Sequence, residues 1–144
     1  MGLIDGIAGI FGLPDSDNRQ KANTRNEVNV MNAINAHLKC KAHLQHFLNG
    51  TSQEPLDPAV ISLDDQCALG KWIHGPANRQ FSMSPAFYQL RTQHAQSHFI
   101  AGNVVQHVQA NNRAAAEALM EGTYKEASRK IVKALAELNQ NLKE

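Results

Sequence analysis

The sequence has little that would direct it to a highly charged partner or hold it together by disulfides. Its 144 residues carry a formal net charge of +1, so no strong electrostatic field attracts it to nucleic acid or anionic lipid. It has only two cysteines and no secretory signal, which argues against a disulfide-stapled fold. We therefore expect a cytoplasmic protein with one domain large enough to bury a core, and no nucleic-acid partner.

The N-terminal residues lack what a targeting segment needs. Residues 1–13 are apolar but contain no lysine or arginine and include Asp5, so they fit neither a signal peptide nor a membrane span. Their apolar residues have helical spacing, although four glycines weaken a free helix. We expect an N-terminal extension and linker over residues 1–23. Residues 2–13 would dock on a second copy, on a partner protein or on a membrane surface, and a disordered leader is the alternative.

Strand patterns are also missing, and helical periodicity accounts for the rest of the chain. Four helices joined by short turns and one longer loop predict an all-α fold, an antiparallel four-helix bundle over residues 24–144. A possible capping box at Ser62–Asp65 could mark a later start of the second helix. The predicted helices run from Ala22–Thr24 to Leu48, from Ala59 to Ile73, from Pro85 to about Ala110, and from Arg113 almost to the end, with breaks at Asn49–Gly50, His74–Pro76 and Asn111–Asn112.

Two short motifs carry most of the chemistry in the chain. They are Cys67-Ala-Leu-Gly-Lys-Trp72 and His94-Ala-Gln-Ser-His98. Residues four apart lie on one face of a helix, so His94 and His98 can bind one ion together. A thiolate and two imidazoles are typical zinc ligands, and a tetrahedral site needs one more.

Helical phase favours His37 as the fourth ligand. In the first helix His37 shares an apolar face with Ile34 and Leu44, whereas His43 and His46 lie off that face or at its margin. In the predicted second helix Cys67 shares a face with apolar residues. Four donors from three helices would then face one interior, where unpaired polar groups cost about 1–3 kcal/mol each and a zinc ion would satisfy all four. The alternative interpretation is that each is an ordinary core histidine or cysteine.

The combined pattern resembles the chemoreceptor zinc-binding domain family. That family has a histidine on its first helix, a Cys-x-[apolar]-Gly motif and a terminal His-x-x-x-His, and the resemblance covers about residues 24–142. It implies zinc as the cofactor, with His37, Cys67, His94 and His98 as ligands, and a homodimeric state. It also implies a bacterial sensory or regulatory role, since the family's domains are attached to chemoreceptors or diguanylate cyclases. Their cysteine responds to zinc availability or to oxidants such as hypochlorous acid.

Four protein ligands around zinc would leave no position for a reactive water, so we expect no enzymatic activity. We expect instead a standalone module that signals to a partner protein of a chemotaxis or cyclic-di-GMP pathway. The alternative is a structural zinc-stapled scaffold without sensing. Asp64 and Asp65 are candidate acceptors for a ligand imidazole, or charges favourable at a helix N-terminus. Trp72 would pack beside the site.

Cys40 occupies a position three residues after His37 where the family often has an aromatic residue. One interpretation is that a small packing residue has replaced a large one. The other is that Cys40 is a resolving thiol, able to form a disulfide with oxidised Cys67.

Overall fold

Helices make up the regular structure of residues 15–52 and 54–142, which are the residues that the computed structural model describes, with the backbone alone for 15–28. No strand occurs in these ranges, so the all-α class is confirmed, whereas the antiparallel four-helix arrangement stays a prediction. The prediction that residues 2–13 dock on a partner or a membrane concerns residues outside the described ranges. No helix within the described ranges is long and apolar enough to cross a membrane.

The elements are α1 (Asp15–Asn49), α2 (Pro58–Ile61), α3 (Ala68–His74), α4 (Pro76–Phe81), α5 (Pro85–Gln109), α6 (Arg113–Leu119), a π-helical segment π1 (Met120–Tyr124) and α7 (Lys125–Leu142).

The two longest helices end and begin close to where the sequence predicts. Helix α1 ends at Asn49, and Gly50 follows with a φ of 77°, the left-handed conformation that glycine adopts readily. Helix α5 begins after Ser84, whose hydroxyl accepts a hydrogen bond from the Phe87 N–H at 3.4 Å. The predicted start of α1 at Ala22–Thr24 is wrong, because the helix already begins at Asp15, where acidic residues suit a helix N-terminus. The division into residues 1–23 and 24–144 stays a prediction, although α1 runs across it.

The predicted continuous helix from Ala59 to Ile73 is wrong, because two helices replace it. Ser62 ends α2, and its hydroxyl donates to the Pro58 carbonyl instead of forming a capping box. Cys67 is extended, and its Sγ accepts a hydrogen bond from the Gly70 N–H at 3.2 Å. Because the N-cap residue Cys67 has an extended backbone, a continuous helix cannot run through this position. The predicted break after Ile73 leads into α4, a short helix that sequence patterns did not indicate.

The last helical region begins where the sequence predicts, at Arg113, after a turn in which Asn111 has a φ of 62°. The chain is then helical from Arg113 to Leu142, but π1 interrupts the α-helical hydrogen bonding. A π segment inserts an extra residue into a turn and so changes which side chains face inward afterwards. Tyr124 at the end of π1 and Ser128 in α7 are both buried.

A polar layer divides the core. One apolar cluster contains Val30, Leu90 and Ile131, and the other contains Leu44 and Val105. Along each of the three long helices, the buried polar residues fall between the members of the two clusters. These buried polar residues are His37 in α1, His94 and Ser97 in α5, and Ser128 in α7.

The close contact at Gly70 gives a test of this arrangement. A Cβ atom at Gly70 would overlap the backbone carbonyl of Asp64, so we expect Gly70→Ala to lower the free energy of unfolding by about 1–3 kcal/mol, as overpacking usually does. Denaturant unfolding with excess chelator measures this without a contribution from metal. Gly122→Ala is the matched control, because a Cβ there meets no atom within 4 Å. Equal stability of the two variants would contradict the contact.

Candidate metal centre

Three predicted ligands meet at one point. The Cys67 Sγ lies 3.4 Å from the Nε2 of His94 and 3.4 Å from the Nε2 of His98, and the two Nε2 atoms are 3.1 Å apart. Cys67 comes from the N-terminus of α3, and both histidines come from α5. The structure thus confirms that His94 and His98 face the same interior point as Cys67.

These three separations fit the edges of a zinc tetrahedron. With ordinary Zn–N and Zn–S bond lengths, two nitrogen ligands lie about 3.3 Å apart and a nitrogen and a sulfur ligand about 3.6 Å apart. The three observed separations are shorter than these by only about 0.2 Å. A zinc ion could therefore bind these three atoms with little rearrangement of the helices.

His98 is held in the tautomer that a metal requires. Its Nδ1 donates a hydrogen bond to the Ile61 carbonyl at 2.8 Å, which leaves the lone pair of Nε2 free for a metal. Helix α2 can approach α5 this closely because Gly102 has no side chain, and a Cβ there would overlap the Ser62 hydroxyl. Burial opposes protonation of His98, but the hydrogen bonds with Cys67 and the Ile61 carbonyl outweigh it and raise the pKa of His98.

His94 is almost fully buried, with 1% of its surface exposed. Its Nδ1 has no hydrogen-bond partner among the described residues, although its backbone carbonyl accepts a bond from Ser97. Packing, rather than a polar contact at Nδ1, therefore orients this imidazole so that Nε2 faces Cys67 and His98.

The environment of Cys67 stabilises the thiolate. The interaction with the Cys40 thiol, the contacts with His94 and His98 and the hydrogen bond from the Gly70 N–H lower the pKa of Cys67, although burial opposes the shift. The sulfur also caps the N-terminus of α3, where the helix dipole favours negative charge. A thiolate is the form of cysteine that binds zinc.

His37 lines the same cavity but stands apart from the three close ligands. Its Nε2 is 2.8 Å from the Ser128 hydroxyl in a buried hydrogen bond, so Nδ1 is the nitrogen that remains for a metal. Burial lowers the pKa of His37 to about 4, with smaller effects of His94 and Lys41. His37 is therefore neutral at pH 7, as a metal ligand must be.

A cavity of about 230 Å³ opens beside the ligands. Its lining is mostly apolar, but it also includes Cys40, the buried Tyr124 and the exposed His43. Burial is the main reason why the pKa of Tyr124 is raised, with smaller effects of the two thiols. Because Cys67 lines this cavity, small molecules that enter it can reach the sulfur.

The residues expected to flank the site make other contacts. The Asp64 carboxylate lies 3.2 Å from His74 Nε2, and the Asp65 carboxylate accepts a hydrogen bond from Gln66. Neither is hydrogen-bonded to a ligand imidazole, because the turn between α2 and α3 directs both toward solvent-accessible partners. Trp72 packs on the first apolar cluster, with its ring centroid 6.3 Å from that of Phe81.

Two hydrogen bonds of the candidate ligand imidazoles were not predicted from the sequence, that of His37 with Ser128 and that of His98 with the Ile61 carbonyl. Ser128 could have been found as a serine on the apolar face formed by Ala127, Ile131 and Leu135, since a buried hydroxyl on such a face needs a partner. The Ile61 carbonyl has no signature in the sequence, because it is a backbone group positioned by the end of α2.

The geometry predicts how zinc content depends on single side chains. Purified wild-type protein should contain close to one zinc per chain, and Cys67→Ala or His98→Ala should lose most of it, because each removes one atom of the group that a tetrahedral zinc ion requires. Elemental analysis after dialysis measures this. His46→Ala is the control, since His46 contacts Thr51 at the surface. Full zinc content in both site variants would rule out this site.

The chain was also compared with known proteins. Residues 37–105 match the family described as the chemoreceptor zinc-binding domain, and this range contains all four predicted ligands. Neither a curated protein nor a solved structure matches the chain. The matched range joins the histidine of α1 to the motifs of α3 and α5, and residues 37–105 belong to the chemoreceptor zinc-binding domain family.

Proposed function

We propose that this protein is a zinc-binding regulatory module whose metal site responds to zinc level or to oxidants through Cys67. The convergence of the Cys67 sulfur with two imidazole nitrogens, at separations of 3.1–3.4 Å, carries this proposal. The membership of residues 37–105 in a family of chemoreceptor zinc-binding domains supports it. Zinc bound there would hold the N-terminus of α3 against the middle of α5.

We propose His37 as the fourth ligand, through Nδ1. Its neutral charge state, its place in the lining of the cavity and its anchoring by Ser128 support this assignment. A histidine whose other nitrogen is hydrogen-bonded has a fixed ring orientation, which strengthens metal binding. His37 would also link α1 to the site, so that the metal joined three helices.

The sensing step is proposed to take place at Cys67. It is the only sulfur in the proposed ligand set, and the cavity exposes it to small oxidants. Oxidation to a sulfenic acid would convert a strong anionic ligand into a weak one. Loss of zinc would then release α3 from α5, and a change in helix packing is a signal that a partner protein can read.

With four protein ligands the zinc would have no open position, so we propose a non-enzymatic role. Within the bacterial cytoplasm the module would form a homodimer and signal to a chemoreceptor, a diguanylate cyclase or another protein of a chemotaxis or cyclic-di-GMP pathway. Exposed apolar side chains support an association surface, since Met31 and Leu38 are 51% and 45% exposed and lie two turns apart on α1.

The role of His37 can be tested through Ser128. We expect Ser128→Ala to weaken zinc binding about 10–100-fold, because it frees the imidazole of His37 to rotate. Competition with a chelator of known affinity measures this. Ser97→Ala is the matched control, since its buried hydroxyl binds a backbone carbonyl instead of an imidazole. Wild-type affinity in both Ser128→Ala and His37→Ala would show that the fourth ligand lies elsewhere.

Oxidant treatment separates a sensor from a structural staple. We expect equimolar hypochlorous acid to release zinc from the loaded protein while the helical circular dichroism persists, because oxidation affects one ligand rather than the core. A colorimetric zinc indicator follows the release. A scaffold stapled by zinc would instead keep its metal until it unfolds, and that result would reject sensing and leave the structural alternative.

A further inference from the structure

Both cysteines of the chain line the cavity beside the metal centre, although 27 positions separate Cys40 from Cys67. The interaction between their sulfurs is the largest influence on the pKa of each, so the two sulfurs lie close together. Cys40 is exposed and Cys67 half-buried, so solvent and small oxidants can reach the pair.

Cys40 is not needed for the metal site. The close group consists of Cys67, His94 and His98, and His37 reaches the cavity from the turn of α1 before Cys40. Because both sulfurs line one cavity, the Cys40 sulfur can reach the Cys67 sulfur once Cys67 has been oxidised and can trap it there.

We propose that Cys40 is the resolving thiol of the metal centre, forming an intrachain disulfide with Cys67 after Cys67 has been oxidised. The proposal rests on the proposed function for its trigger, the oxidation of the zinc-binding sulfur. It assigns a second and different event to this site, a covalent bond between α1 and the N-terminus of α3.

The reaction uses an electrophilic two-electron oxidant such as hypochlorous acid. The Cys67 thiolate forms a bond to the oxidant and becomes a sulfenic acid, while the chlorine leaves as chloride. The Cys40 sulfur then attacks the sulfenic sulfur and breaks its S–O bond. The oxygen leaves as water, with the proton of Cys40 as its second hydrogen. The oxidant accepts two electrons in total, and two thiol sulfurs become one disulfide.

The disulfide would change the metal site in two ways. It would remove the negative charge of Cys67, so the sulfur could no longer bind zinc as a thiolate. It would also protect that sulfur from further oxidation, since a sulfinic or sulfonic acid is not reduced by ordinary thiols. The site could then be restored by reduction and would bind zinc again.

The test compares the zinc-loaded full chain with Cys40→Ser, each treated with equimolar hypochlorous acid, alkylated and digested with trypsin. Cleavage after Lys39, Lys41 and Lys71 yields the dipeptide Cys40–Lys41 and a peptide of residues 42–71 that contains Cys67. In the wild type we expect these two peptides joined, and nearly full zinc binding after dithiothreitol. In Cys40→Ser we expect zinc release but sulfinic or sulfonic Cys67, with most zinc binding lost after reduction.

Other outcomes identify which proposal fails. Equal recovery in both proteins without a joined peptide would overturn the role of Cys40 and leave the sensing function intact. Joining between two chains, visible as a dimer on a non-reducing gel, would also overturn it. Weakened zinc binding of reduced Cys40→Ser would overturn it too, by making Cys40 a ligand. Failure of the oxidant to release zinc from the wild type would reject the proposed function itself.

Discussion

The structure depends on a layer of buried polar groups between two apolar clusters. His37, His94, Ser97 and Ser128 are each at most 4% exposed, and a buried imidazole without partners for both nitrogens destabilises a fold. The chain meets this constraint in two ways. The Nε2 atoms of His94 and His98 face the Cys67 sulfur. Nε2 of His37 is hydrogen-bonded to the Ser128 hydroxyl, and Nδ1 of His98 to the Ile61 carbonyl. Nδ1 of His94 is buried without a hydrogen-bond partner in the described part of the chain.

This constraint explains why such short elements lie between α1 and α5. A long second helix could not place both the Ile61 carbonyl against His98 and the Cys67 sulfur against His94, because a continuous helix keeps its carbonyls in its own hydrogen bonds. Ending α2 at Ile61 frees that carbonyl, and starting α3 after Cys67 frees the sulfur. The close contact at Gly102 lets α2 pack against α5, and the one at Gly70 lets α3 pack against the turn that follows α2.

Helical phase predicted the inward histidines correctly because long amphipathic helices repeat one simple pattern over many turns. His37 is buried, whereas His43 and His46 are exposed, as their phases indicate. The same reasoning failed between residues 59 and 73. The spacing of Val60, Leu63 and Cys67 suits a helix there, but a cap formed by the sulfur and backbone contacts with α5 decide the structure. The contacts with α5 join positions distant in sequence and have no local pattern. The contact of Ser128 with His37 spans 91 positions and is of the same kind.

The spacing of Cys67 and Gly70 acquires a physical meaning from these contacts. The sulfur accepts the N–H of the residue three positions later, which is the bond of an N-cap, and that residue must be glycine because the Asp64 carbonyl occupies the space of a side chain. The candidate metal ligand is therefore also the group that begins α3. Helix α3 in turn places Leu69 and Ile73 in the first apolar cluster. A change in the charge or bonding of one sulfur thus acts on a helix end and on core packing together, which is the coupling that a regulatory metal site requires.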